Sequence, residues 1–262
     1  MSGRDTTTEG AETLNRAAMF AAGPPKIPRK TVWIALGVVA VLGIGGAFAD
    51  HSFNVPSAST STPVIHHSAR QRQTLAQFVG LKTLSALRAP AIDLTDGGGG
   101  AYSLGQLAGR PVILTFLGAT CAETCLVIAP ELVRAEAILS RAHVRPAVVI
   151  VNADPRHLSV ASVHTALHTG PLASLTGAMF LTGSITQLQP IWKSYGVTIE
   201  VDPTTNELAY TNVIYLIDQM GRLRDSLTPF ANESFSGSAT LPIAQLNRFA
   251  SGIAFYLEQI AR

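Results

Sequence analysis

Charged side chains, cysteine and methionine are all scarce in this chain of 262 residues. Nineteen Lys and Arg oppose seventeen Asp and Glu, so the charge balance indicates no basic face for nucleic acid. Only four methionines occur, two of them before residue 20, which excludes a methionine-rich metal site. Neither a Gly-x-Gly-x-x-Gly motif nor a P-loop is present, so we expect no nucleotide cofactor. The chemistry is therefore expected at the only two cysteines, Cys121 and Cys125.

The first fifth of the chain differs in composition from the rest. Residues 1–30 are small and polar, which predicts a disordered tail because such a segment cannot bury a core. Residues 31–49 carry no charge and have about the length that spans a bilayer. Arg29 and Lys30 directly precede this apolar run, so the positive-inside rule places the tail in the cytoplasm and Asp50 outside.

The apolar run is interpreted as an uncleaved transmembrane anchor. This predicts a single-pass protein of the cell membrane whose C-terminal domain is extracytoplasmic, on the periplasmic or outer face. Residues 47–49 (Ala-Phe-Ala) also fit a signal-peptidase site, so a cleaved signal peptide stays the alternative. In both cases the cysteine pair is exposed to an oxidising compartment.

The remaining sequence predicts an α/β domain at residues 83–262, preceded by a linker and short helix at 50–82. Apolar residues at helical spacing run over 73–88. Continuous apolar runs at 112–116 and 146–154 predict two strands buried on both faces. The other predicted elements are a helix from the cysteines to about residue 140, strands at 91–96, 178–181, 212–218 and 222–227, and helices at 157–168, 184–195 and 241–261. This alternation favours a central mixed sheet flanked by helices.

The cysteine pair follows the first buried strand, at the start of a helix. A helix N-terminus stabilises a thiolate through its dipole and free amides. Cysteines at this point between strand and helix are the arrangement of the thioredoxin fold. Dithiol redox chemistry and metal binding both remain open from the residues alone.

Four segments of the domain carry a resemblance to one family. They are TFLGATCAETC with its Cys-x3-Cys pair, Asp154-Pro155 after the second buried strand, IWKSYGV before a polar hairpin, and YLIDQMG. Together, over about residues 83–230, they resemble the SCO/SenC family of membrane-anchored copper proteins. The resemblance implies a thioredoxin-like fold, copper bound by both cysteines and a distant histidine, and copper delivery to cytochrome c oxidase. Some relatives act as thiol-disulfide reductants.

The sequence departs from that family pattern at three positions. The family has proline after each cysteine, where this chain has Ala122 and Leu126. The family's copper-ligating histidine falls on Tyr210. A phenol, with an ordinary pKa of about 10, is largely protonated at neutral pH, whereas Cu(I) prefers thiolate, thioether or imidazole. The third copper ligand is therefore missing from its expected place.

The histidines offer few replacements for that ligand. His157 follows the second buried strand and is the candidate that would approach the cysteines. His164 and His168 stand four apart on a predicted helix, a spacing that can chelate a metal, although a solvated helix face is the more ordinary interpretation. We assign no specific role to His66 and His67 in the linker.

The first hypothesis for the pair is copper binding. Four residues apart at a helix start, Cys121 and Cys125 can present both sulfurs on one side, as a two- or three-coordinate Cu(I) site requires. The reduced protein is expected to bind one Cu(I), and Cu(II) only weakly. The expected partner is a cytochrome c oxidase subunit or another copper or thiol protein.

The alternatives are thiol-disulfide exchange and a purely structural disulfide. In the first, Cys121 is the nucleophile and Cys125 the resolving thiol. Glu123 between them is expected to raise the thiol pKa, and no proline lies between Pro203 and Pro229, where oxidoreductases of this fold carry a cis-proline. In the structural alternative, the pair is a simple disulfide in a degenerate family member that acts only by docking to partner proteins. So short a disulfide loop would stabilise the fold weakly.

Overall fold

The computed structural model of the chain describes residues 68–120, 123–229 and 241–261. Within these ranges no helix is long and apolar enough to cross a bilayer. The predicted tail at 1–30 and the predicted anchor at 31–49 lie outside the described residues, so both stay predictions.

Five α-helices and ten strands make up the described domain. The helices are α1 (Ala69–Phe78), α2 (Glu123–Arg141), α3 (Val160–His168), α4 (Ile185–Ser194) and α5 (Ile243–Ile260). The strands are β1 (Lys82–Thr83), β2 (Asp93–Asp96), β3 (Ala101–Ser103), β4 (Val112–Leu117), β5 (Ala147–Asn152), β6 (Met179–Thr182), β7 (Ile199–Val201), β8 (Leu208–Tyr210), β9 (Ile214–Ile217) and β10 (Leu223–Leu227).

Eight strands form one mixed sheet in the order β1-β10-β9-β4-β5-β6-β2-β3. β4, β5 and β6 are parallel to one another, whereas the other pairings in this sheet are antiparallel. β7 and β8 form a separate two-stranded hairpin. The predicted mixed sheet is confirmed.

The two central strands are β4 and β5, and every residue in them is buried. Successive side chains of β4 point to opposite faces. Ile113 and Leu117 pack with α1, α2, α3 and α5, whereas Leu114 and Phe116 pack with α4 on the other face. Helices on both faces explain why these strands are continuously apolar in sequence.

The C-terminal helix α5 shows the predicted apolar stripe. Leu246, Phe249, Ile253 and Leu257 are all buried in the hydrophobic core. The prediction of an amphipathic helix in this region is confirmed, with one face covering the sheet.

The first helix ends earlier than the apolar spacing over 73–88 predicts. Gly80 follows α1 with a positive φ of 58°, a conformation that ends a helix. Leu87, expected on the apolar face, is instead 70% exposed. Leu75 and Val79 do reach the core, where Val79 packs against the bare Cα of Gly252 in α5. The short helix thus contributes to the same core as the rest of the domain.

Candidate functional site at the cysteine loop

The cysteine motif lies where the central strand β4 gives way to α2. Strand β4 ends at Leu117, level with Asn152 at the end of its parallel neighbour β5. Cys125 lies in the first turn of α2, is 1% exposed and is disulfide-bonded. The sequence contains one other cysteine, Cys121, which lies outside the described residues.

A buried carboxylate holds the residue that precedes Cys121. Asp154 is fully buried just beyond β5, and its Oδ2 accepts a hydrogen bond from Thr120 Oγ1 at 2.7 Å. Its Oδ1 accepts from the backbone amide of Arg156 at 3.0 Å and from Arg156 Nε at 2.9 Å. His157 Nδ1 lies 2.8 Å from Oδ2. Both carboxylate oxygens are therefore satisfied.

The charge of Asp154 is stabilised by these donors. Burial alone raises the pKa of this carboxyl, but hydrogen bonds from Arg156, Thr120 and His157 outweigh burial and hold the pKa well below its usual range. Asp154 is consequently ionised at neutral pH. Arg156 also donates through Nη1 to the carbonyl of Asn206, which ties the turn between β7 and β8 to this carboxylate.

A second buried polar side chain, Asn152, connects the loop that follows β4 with the loop that follows β5. Its Oδ1 accepts hydrogen bonds from the backbone amides of Ala119 and Asp154, at 3.3 and 2.9 Å. Its Nδ2 donates to the carbonyl of His157 at 2.8 Å and to Thr182 Oγ1 at 3.2 Å. The sequence analysis does not identify this role, although a polar residue that ends an otherwise apolar strand is an indication of it.

Tyr210, at the end of β8, lies against Gly118 at the start of the cysteine loop. Gly118 makes this approach feasible, because a Cβ there would lie 3.7 Å from Tyr210 Cε1 and 3.0 Å from Leu208 Cδ2. The Tyr210 hydroxyl is shielded from solvent and makes no hydrogen bond of standard geometry within the described ranges. Burial is the main cause that raises the pKa of Tyr210; the polar contacts of its hydroxyl with the Gly118 backbone and the Thr124 side chain lower it, and the charge of Asp154 adds a smaller rise. Tyr210 is therefore a neutral phenol.

Cys125 borders a small cavity. About 200 Å³ lies between the cysteine loop and the turn that follows α3. Its lining consists of small or apolar side chains, those of Gly118, Ala119, Thr120, Cys125, Ala166, Thr169, Gly170, Pro171 and Leu172. No charged group lines it, so it offers an uncharged approach to the loop.

The structure separates the candidate histidines. His157 lies in the Asp154 network with 44% of its side chain exposed. His164 and His168 stack with ring centroids 4.2 Å apart, and His168 Nδ1 lies 2.8 Å from the carbonyl of His164, within α3. Among the described residues no three His, Cys, Asp or Glu side chains converge as a metal site. His66 and His67 lie outside these residues.

A mixed sheet flanked by helices, with a cysteine in the first helical turn after a central parallel strand, defines a thioredoxin-like protein. The SCO1/SenC family profile matches residues 85–239, more than half of the chain. The chain belongs to the SCO1/SenC family. A comparison with curated protein sequences found no match.

Solved structures agree in fold. ScoI of Arabidopsis thaliana with copper bound aligns with a TM-score of 0.53 at 19% identity, over 65% of this chain and 98% of its own. ScoI of Bradyrhizobium japonicum with copper bound aligns with a TM-score of 0.50 at 20% identity, over 67% of this chain and 99% of its own. A SCO1/SenC family lipoprotein of Bacillus anthracis aligns with a TM-score of 0.53 at 14% identity, over 68% of this chain and 97% of its own.

Proposed function

We propose that this protein is a membrane-anchored, extracytoplasmic SCO/SenC protein that binds Cu(I) through Cys121 and Cys125. We further propose that it assists assembly of a copper site in cytochrome c oxidase. The observation that carries the proposal is the place of Cys125, in the first turn of α2 with the second cysteine four residues before it. Family membership and the copper-bound ScoI relatives support it.

The donor set fits Cu(I) better than Cu(II). Two thiolates satisfy the linear coordination that Cu(I) accepts, and thiolate is the soft ligand it prefers. Tyr210 would contribute no anionic oxygen, because burial raises the pKa of its hydroxyl and keeps it protonated. Cu(II), which favours nitrogen ligands in such a site, would be held weakly.

Copper binding requires a prior reduction of the pair. Cys125 is disulfide-bonded in the structure, and a disulfide sulfur is not a thiolate ligand. Reduction by a dithiol would supply two electrons and convert the disulfide to the ligating thiols. The protein would then alternate between an oxidised form and a reduced, copper-competent form.

The membrane assignment rests on residues 31–49. Their uncharged run and the preceding Arg29 and Lys30 support an anchor with the domain outside. The Bacillus anthracis relative, by its name a lipoprotein, is consistent with membrane attachment. Protease added to intact spheroplasts should degrade the domain, and a domain that stays protected until the cells are lysed would contradict this orientation.

Titration of the full-length protein with Cu(I) tests the copper proposal. The reduced wild type should take up one Cu(I) in competition with a chromogenic chelator, whereas the oxidised protein should take up none. Cys121→Ala and Cys125→Ala should each abolish tight binding, because only one of the two thiolate ligands then remains. His143→Asn is the control and should bind normally, because His143 lies just beyond the C-terminal end of α2 with a positive φ of 59° that asparagine tolerates. Absence of uptake by the reduced wild type would overturn the proposal.

Thiol-disulfide exchange is the second candidate function. The disulfide at Cys125 and the uncharged cavity beside it favour this alternative, because a partner thiol needs access to a sulfur. Catalytic turnover in an insulin-reduction assay, lost in Cys121→Ala, would support it. If neither Cu(I) uptake nor turnover is found, docking by a degenerate family member remains as the function.

A further inference from the structure

Two histidine side chains of α3 form a cluster that the proposed function does not use. His164 and His168 are four residues apart, so they lie on the same face of the helix, and both are exposed. Their ring centroids are 4.2 Å apart, and the ring planes differ by only 22°. Both imidazoles are therefore side by side and accessible to an ion from solvent.

A hydrogen bond fixes the proton of one of the two rings. His168 Nδ1 lies 2.8 Å from the backbone carbonyl oxygen of His164. A carbonyl oxygen only accepts, so Nδ1 carries the proton, and Nε2 of the neutral ring keeps its lone pair. Metal-ligating histidines commonly donate their other ring N–H to such an acceptor, which holds the ring in place. His168 thus has the arrangement of a ligand that binds through Nε2.

The spacing of the rings suits a single ion. A bond between a metal and an imidazole nitrogen is about 2.0–2.1 Å long, so two nitrogens on one ion lie no more than about 4 Å apart. The rings of His164 and His168 already have nearly this separation. Because both side chains are exposed, a small rotation of the rings turns one nitrogen of each toward a shared ion.

The backbone that carries the pair is held by the rest of the domain. Val163, which directly precedes His164, is fully buried, and Ser159 caps the start of α3 by accepting from the amide of Ser162. The turn between β2 and β3 lies against the helix, since a Cβ on Gly97 would come within 3.4 Å of His164 Cα. Binding of an ion therefore orders two side chains and no backbone, which limits its entropic cost.

The number of ligands selects the metal. Among the described residues, no third His, Cys, Asp or Glu side chain joins the pair as a metal-binding group. Zinc sites in proteins use three or four protein ligands. Cu(II) accepts a tetragonal set of nitrogen and oxygen ligands, and it has the highest affinity of the divalent first-row metals for such donors. Two imidazoles completed by water therefore favour Cu(II).

We propose that His164 and His168 form a bidentate Cu(II) site on the exposed face of α3. This site is separate from the cysteine pair and goes beyond the proposed function. It does not depend on the state of the sulfurs, because both imidazoles are available in the oxidised protein, where Cys125 is disulfide-bonded.

The test is a calorimetric titration of the oxidised full-length protein with Cu(II) at pH 7.5, together with electron paramagnetic resonance. The wild type should bind one Cu(II) through two nitrogen donors. His164→Ala and His168→Ala should each lower the affinity at least about tenfold, because the second contact of a chelate forms at a high effective concentration. Absence of uptake by the wild type, or unchanged affinity in either variant, would overturn the inference.

An exchange of two residues provides the matched control. The double variant Ala161→His and His164→Ala keeps the composition of α3, and Ala161 is already exposed. Its two histidines are seven residues apart, or about 10.5 Å along the helix axis, which is too far for one ion. Its Cu(II) affinity should equal that of His164→Ala. Wild-type affinity in the exchange variant would show that the imidazoles act independently, and would overturn the inference.

Urea denaturation gives a second measurement. Saturating Cu(II) should raise the unfolding midpoint of the wild type, because the chelate forms only on the folded helix, and should leave that of the exchange variant nearly unchanged. An equal rise in both would overturn the inference. The Cu(I) titration of the reduced protein is a separate arm: its failure defeats the cysteine proposal alone, whereas failure of Cu(II) binding to the oxidised protein defeats this inference alone.

Discussion

The cysteine loop is flanked by two regions that satisfy their polar groups differently. On the β5 side, Asp154 is fully buried and accepts hydrogen bonds from Thr120, Arg156 and His157. On the β8 side, Tyr210 packs against Gly118 and brings a buried hydroxyl for which no hydrogen bond of standard geometry is found in the residues described. The β5 flank is thus tied to the loop by several short hydrogen bonds, whereas the β8 flank meets it mainly by packing. The difference indicates that the β5 flank fixes the loop more firmly than the β8 flank does.

Removal of the saturated carboxylate should have the largest effect. Asp154→Ala leaves Arg156, Thr120 and His157 without their shared acceptor, so we expect a loss of about 3 kcal/mol in the free energy of unfolding. Urea denaturation measures this loss. Asp93→Ala, at an exposed strand position, is the control and should change stability by less than about 0.5 kcal/mol. Equal losses in the two variants would contradict the structural role of the β5 flank.

The same carboxylate should give the protein an acid-sensitive stability. Hydrogen bonds hold the folded-state pKa of Asp154 below its usual range, so the unfolded chain takes up a proton first as the pH falls. The stabilisation is therefore complete at neutral pH and is lost as the pH drops below about 4. In Asp154→Asn the stability should fall less steeply with acid, by up to about 1.4 kcal/mol per pH unit. Denaturation curves from pH 7 to 3 test this, and parallel slopes in both proteins would contradict it.

Replacement of the buried phenol by a ligand should change the metal preference. Tyr210→His places an imidazole beside the loop, and we expect Cu(II) affinity to rise at least about tenfold, or about 1.4 kcal/mol. Titration followed by electron paramagnetic resonance measures the affinity and reports nitrogen coordination. Tyr210→Phe, which keeps the ring and offers no ligand atom, should bind Cu(II) as weakly as the wild type. A gain in both variants, or in neither, would argue against Tyr210 facing the metal.

A change in the spacing between the two flanks should have the smallest effect on stability. Gly118 lies between them, and a Cβ there would come within 3.0 Å of Leu208 and 3.6 Å of Asp154. Gly118→Ala should push β8 outward and cost about 1 kcal/mol in the free energy of unfolding. Gly105→Ala, whose Cβ would meet only Ser103 Oγ at 3.6 Å, is the control. If the two glycine variants are equally stable, the close approach of the flanks has no energetic consequence.

Local patterns in the sequence predicted the framework well. The continuous apolar runs correspond to β4 and β5, and the stripe of Leu246, Phe249, Ile253 and Leu257 corresponds to α5. The exception is α1, where apolar spacing continued past Gly80 although the positive φ there ends the helix. Periodicity reports which side chains are apolar, but it does not report where the backbone turns.

The surroundings of the cysteines were less accessible to sequence reasoning. His157 was expected near the edge where the strands end, and it lies there, but the structure shows Asp154 occupying its Nδ1. The contacts of Asn152 with Ala119, and of Tyr210 with Gly118, join positions far apart in the chain. No local pattern encodes such pairs.

The amino-acid sequence by itself indicated the family, through the cysteine motif and three further segments, and the family profile confirms it. It also predicted the buried central strands and the helix that carries Cys125, because apolar runs and helix starts are local patterns. Only the tertiary structure decided how the loop is supported, with a saturated carboxylate on one side and a packed phenol on the other. That outcome depends on which strand ends meet at one edge of the sheet, and strand order is set by the packing of the whole domain.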